Sequence, residues 1–177
     1  FKVFQENLKG LVEADRKISL LEVSIQRMVG RHLDRLSGEK KPPRVRYHVF
    51  EQVQIECTEV LSVLSWHGTA DPAVAARAFQ RGMEQMNASR PASLLPRERC
   101  TLEVLDRALA SLSQASALLK KRLLMASVEC IGTDGLVTIS EAEALRVVAD
   151  SLDCPVPPIL PGDFSGALTE LPETAKP

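Results

Sequence analysis

Leu20, Leu21, Ile25, Met28, Val29 and Leu33 recur at spacings of three and four, and the same spacing returns in stretch after stretch of the chain. Because an α-helix turns once every 3.6 residues, this spacing gathers apolar side chains onto one face, which another helix must cover. Such a chain is expected to be all-α, with helices packed on helices. The pattern predicts about seven of them. An opening helix continues over residues 6–14 and a second spans 19–36. A third begins late within 47–66, where β-branched residues mix with a helix-like pattern (Val49, Val53, Val60, Leu61, Leu64). The others cover 71–87, 100–112, 115–132 and 140–152.

The breaks agree with this reading. Residues 37–43, Ser-Gly-Glu-Lys-Lys-Pro-Pro, must interrupt a helix. Asp71-Pro72 is a start signal, with the Asp accepting from backbone N–H groups and the Pro at the first helical position. Residues 89–99 carry two prolines and no pattern, and read as an exposed loop. Residues 155–177 read as an extended, partly disordered Pro-rich tail. Its Pro155, Pro157 and Pro158 could lie in a groove as a polyproline segment, on this domain or on a partner.

A hydrophobic fraction of 45% over 177 residues suffices for a sizeable core. With 22 basic and 23 acidic residues the chain has no charge excess that advertises nucleic acid, and none is expected as a partner. No stretch reaches the roughly 18 apolar residues of a membrane span. The chain opens without Met inside an amphipathic pattern, as a segment of a longer protein would. Cys57, Cys100, Cys130 and Cys154 form no C-x-x-C pair, so four free thiols in a reducing compartment are expected.

A repeat lies inside the helical pattern. Asp15 to Val29 and Asp134 to Val148 share Asp-x-x-[Ile/Val]-[Ser/Thr]-x-x-Glu-x4-Arg-x-Val at an offset of 119 residues. Each residue type has a local task. Ser19 with Glu22, and Thr138 with Glu141, have the spacing of a capping box. Asp15 and Asp134 can close a turn by accepting from an amide two residues on, and Gly135 tolerates a positive φ. Ile18 and Val137 would point inward and pin the turn.

The second copy also looks like half of a calcium-binding EF-hand loop. Such a loop supplies oxygens at positions 1, 3, 5, 7, 9 and 12 with Gly at 6. With Glu141 at position 12, Asp134 falls at 5 and Gly135 at 6, but Cys130 falls at 1 and Gly132 at 3. With Glu22 at 12, Asp15 falls at 5, Leu11 at 1 and Arg16 at 6. Neither copy has a full ligand set, and no metal site is expected. Asp15, Glu22, Asp134 and Glu141 remain candidates only for a weak cation contact.

Other signals of chemistry are sparse. His32, His48 and His67 form no H-E-x-x-H, and His67, after Trp66 at a helix end, is placed to meet terminal carbonyls. There is no G-x-S-x-G elbow and no glycine-rich phosphate loop, so neither catalytic nor cofactor-binding residues are assigned. Lys40, Lys41, Arg44 and Arg46 concentrate positive charge, either as a solvated loop or as a docking contact for a membrane surface or an acidic partner.

Asp134-Gly135-x-Val-Thr-x-x-Glu141-Ala-Glu-x-Leu-Arg146, with the copy around Asp15, resembles the TerB-like (tellurite-resistance-type) all-helical domain. More narrowly, Asp150-Ser-Leu-Asp-Cys-Pro-Val-Pro-Pro158, with Ala-Asp-x-x-Ile-Ser-Leu-x-Glu22 and Gln26-Arg27 upstream, is similar to the C-terminal region of bacterial HtpX-like, CAAX-protease-related membrane zinc metallopeptidases. The resemblance spans roughly residues 8–160 and implies a single helical domain over 1–154. Half-units 1–36 and 115–153 would flank an insertion at 44–112, with the tail following.

Members of that family carry H-E-x-x-H and zinc in a separate membrane-associated catalytic domain. This segment would then be a non-catalytic interaction or regulatory domain acting in substrate engagement, docking or assembly. Its partner would be the protease domain of the same polypeptide or another protein, at the cytoplasmic face of the inner membrane. The alternative is a freestanding TerB-like stress-response module with weak cation binding at its acidic turns.

Overall fold

Buried residues lie all round the helix Gln54–His67, here α1: Cys57, Val60, Leu61, Ser62, Val63 and Leu64 are among them. A helix buried on every side beyond its first turn must be enclosed there by others. Among the described residues α1 packs on four helices, α2 (Pro72–Met86), α3 (Leu102–Leu112), α4 (Ala117–Ile131) and α5 (Ile139–Ser151). These observations come from a computed structural model that describes residues 44–87, 91–154 and 162–163, and Gly30, which is helical. The described residues also include one-turn 3-10 helices at Phe50–Gln52 and Arg97–Arg99, and strands β1 (Leu136–Val137) and β2 (Gly162–Asp163).

The class is all-α, and the five helices answer to the last five of the expected seven. The expected helices over 6–14 and 19–36, with Asp15, Ser19, Glu22, His32, Lys40 and Lys41, lie outside the described residues. One hydrophobic core runs from Phe50 to Leu152, so residues 44–112 and 115–153 share it.

Capping residues decide where the helices begin. Asp71 Oδ1 accepts from the Ala73 N–H at 2.8 Å and opens α2, which ends at Asn87 in the left-handed conformation (φ 49°). Thr101 and Ser116 accept from the N–H groups of Val104 and Leu119, which starts α3 and α4 two residues later than their apolar patterns suggest. Thr138 does the same for α5 and moves its start one residue earlier, to Ile139. α1 starts later still, at Gln54. The Arg46 and Tyr47 N–H groups donate to the Gln114 carbonyl, and the Ser116 N–H donates to that of Tyr47. Extended backbone tied this way cannot join a helix. The described part of the basic segment is therefore a strip fastened to the α3–α4 connection from Arg46 on.

The close crossing of α2 and α4 depends on small side chains. A Cβ on Gly82 would stand 3.1 Å from the Ala126 carbonyl oxygen, 3.2 Å from Leu61 Cδ2 and 3.4 Å from Cys130 Cβ. Three helices meet at that glycine. Two polar links also join α1 and α3: Arg107 donates to the nearly buried Glu59 at 2.6 Å, and Ser111 donates to Glu56 at 3.2 Å.

One expectation needs correcting. The segment after residue 90 is not simply an exposed loop, because the Leu95 N–H donates to Ser62 Oγ (3.1 Å) and the Leu95 carbonyl accepts from Trp66 Nε1 (2.8 Å). Those bonds give partners to a buried hydroxyl and to an indole N–H of α1. β2 pairs antiparallel with β1, Leu136 opposite Asp163 and Val137 opposite Gly162, so Gly162 and Asp163 of the Pro-rich tail are extended and lie against the helical body.

Candidate functional site

The repeat motif joins α4 to α5. Thr133 Oγ1 donates to the Glu129 and Cys130 carbonyls (3.1 and 2.9 Å), and the Gly135 N–H donates to the Gly132 carbonyl. The last turn of α4 is thereby closed. Asp134 Oδ1 accepts from the Leu136 N–H at 3.1 Å, and Gly135 reverses the chain at φ +79°, where a side chain would be strained. Val137 then points into the core at 3% exposure.

A capping box follows. Thr138 Oγ1 accepts from the Glu141 N–H (3.2 Å) and donates to Glu141 Oε2 (2.7 Å), which also accepts from the Thr138 N–H (2.9 Å). The carboxylate sits at the first turn of a helix, where the partial positive charge of the dipole favours it.

What the motif does not reveal is the surface this carboxylate rests on. Glu141 is only 8% exposed, and its Oε1 lies where a Cβ on Gly68, the C-cap of α1, would have to be. The beginning of α5 is thus seated on the end of α1. His67 joins the same junction, its Nε2 sharing a 2.6 Å hydrogen bond with Ser140 Oγ rather than serving the terminal carbonyls. Beneath it, Ser65 Oγ donates to the Leu61 carbonyl (2.7 Å) and shares a hydrogen bond with Cys130 Sγ (3.1 Å). Burial pushes the Cys130 thiol up to about 12, with the Ser65 hydrogen bond opposing and Glu141 reinforcing that rise.

Four of the residues singled out from the sequence, Asp134, Gly135, Thr138 and Glu141, are therefore brought together in one turn and cap, while Arg44 and Arg46 lie exposed on the strip beside Gln114. Residues missed by the sequence reading are Gly68, Ser140, Ser65 and Ser62. The His67 position at a helix end was a partial signal, but its partner is 73 residues away. Among the described residues, no group of three or more His, Cys, Asp or Glu side chains could hold a metal ion.

The seating makes a coupling prediction. Gly68→Ala should displace the Glu141 carboxylate and lower the unfolding free energy by about 1 kcal/mol, the usual contribution of a helix cap. Glu141→Ala alone should lower it by a similar amount. In the Glu141→Ala background, Gly68→Ala should be close to neutral. A double-mutant cycle by urea denaturation measures this, and additive effects would show that the two residues are independent.

No family model, curated protein or solved structure matches the chain.

Proposed function

We propose that the chain is a non-catalytic interaction or regulatory domain of a membrane-associated zinc metalloprotease, built on TerB-like helix-turn-helix units. One observation carries the reading. Asp134, Gly135, Thr138 and Glu141, the residues on which the TerB-like resemblance rests, all serve to fold one helix back onto the next and seat the pair against α1. That is the task of a scaffold unit, whose business is shape and surface. In this reading, zinc and its H-E-x-x-H belong to a catalytic domain elsewhere in the polypeptide, and this domain influences which proteins reach it.

The test is to determine the complete coding sequence and then assay the whole protease with and without residues 1–177. An H-E-x-x-H and hydrophobic spans are expected in the same polypeptide. Removing the domain should alter cleavage of a protein substrate while leaving bound zinc and cleavage of a short peptide unchanged. A complete sequence lacking the metal motif and the spans would end this reading.

A further inference from the structure

The strip at residues 44–49 and the first two turns of α4 lie side by side, and the exposed groups they carry are not explained by the fold. Arg46, Tyr47 and Ser116 make the backbone bonds that hold the two side by side. Val45, Val49 and Leu118 are exposed there, by 53%, 50% and 69%. Val49 and Leu118 border a half-open cleft of about 180 Å³ whose walls include Phe50, Met86 and Leu119. Basic groups accompany them. Arg44, Arg46 and His48 alternate with the valines along the strip, Arg122 lines the cleft, and exposed Lys121 follows Leu118 by one helical turn. Glu51 is the acidic residue of the lining, and it has an interaction of its own.

We propose that this face docks on an anionic phospholipid surface. Exposed aliphatic side chains among arginines and a lysine match the headgroup boundary of a bilayer, where apolar groups enter and long basic side chains reach back to the phosphates. A protein partner is less well served. Protein interfaces centre on buried Trp, Tyr and Arg anchors, and the single Trp and single Tyr of the chain are engaged internally. Tyr47 packs on the core and Trp66 donates to Leu95.

Each basic group near such a surface raises partitioning roughly fivefold. The face therefore supplies weak binding, adequate when the domain is already tethered at a membrane. To that extent the inference rests on the membrane-protease reading. The two fail separately, because the coding sequence decides that reading and vesicle binding by this chain decides this one.

The experiment is flotation of the 177-residue chain with phosphatidylglycerol-rich and with pure phosphatidylcholine vesicles. Binding is expected to the anionic vesicles and to disappear near 1 M salt, where the Debye length is about 3 Å. The Arg44→Glu/Arg46→Glu variant should lose roughly 25-fold or more in partitioning, and Leu118→Ser roughly tenfold. These side chains are exposed, so thermal melting should show both variants folded. Equal binding to neutral vesicles, or binding indifferent to these substitutions, would overturn the proposal. So would absence of vesicle binding with retention on immobilised poly-glutamate, which would assign the face to an acidic protein.

Discussion

Leu61→Ala should lower the unfolding free energy by about 2–5 kcal/mol, the range for removing a fully buried leucine. Leu61 has no exposed surface, and its Cδ2 lies in the notch left by Gly82 where α1, α2 and α4 meet. The site has little freedom to collapse. Its own carbonyl holds the Ser65 hydroxyl at 2.7 Å and the Cys130 thiol at 3.7 Å, which fixes the backbone around the missing side chain. A cavity that cannot close carries the full penalty of lost contacts as well as lost transfer free energy. The control lies on the same helix. Ile55 is 73% exposed, so Ile55→Ala should change stability by no more than about 0.5 kcal/mol. Urea unfolding of both variants gives the comparison, and equal effects would mean that α1 is not the enclosed centre of the bundle.

The second large effect is alkaline. Cys57 and Cys130 are unpaired thiols buried in the core, and burial pushes each from an ordinary 9.0 up to about 12. For Cys57 the neighbouring Glu56 carboxylate adds to the rise. A folded-state value above the unfolded one means that the unfolded chain releases these protons first. Their contribution is therefore complete below pH 9 and is lost as the pH rises from 9 toward 12. Within that window each thiol should remove about 1.4 kcal/mol of stability per pH unit. Comparing wild type with a Cys57→Ser/Cys130→Ser variant across pH 8–10.5 isolates the term from lysine and tyrosine titration. The variant should be less stable at pH 8 but show the shallower decline. Parallel declines would mean that the two thiols ionise as readily in the folded protein as in the unfolded chain.

Local features of this architecture were legible because their interactions close within a turn of chain. Asp71-Pro72 announces α2, and Thr138 with Glu141 announces α5, since a cap bonds amides two or three residues away. Asp134 and Gly135 are readable as a turn for the same reason. The start of α1 was not. Its apolar pattern extends back toward Tyr47, yet Tyr47 is extended because its backbone is bonded across to Gln114 and Ser116. Helix propensity is a weak preference, and tertiary hydrogen bonds override it.

The candidate site divides along the same line. The motif residues were identifiable one by one, but their seat was not, because Gly68 bears no side chain whose chemistry could announce it. Its significance is the space it leaves for Glu141, 73 residues later in the chain. The Leu95 bonds to Ser62 and Trp66, the His67 bond to Ser140 and the pairing of β2 with β1 are equally remote. By itself, then, the sequence determined the all-α class, the caps of α2 and α5 and the Asp-Gly turn, each governed by periodicity or by bonds spanning a few residues. Only the tertiary structure decided that α1 is enclosed, that α5 begins on the end of α1, and that an arginine-bearing strip is fastened beside the start of α4. Those outcomes depend on which distant surfaces exclude water together, and no short window of residues encodes that choice.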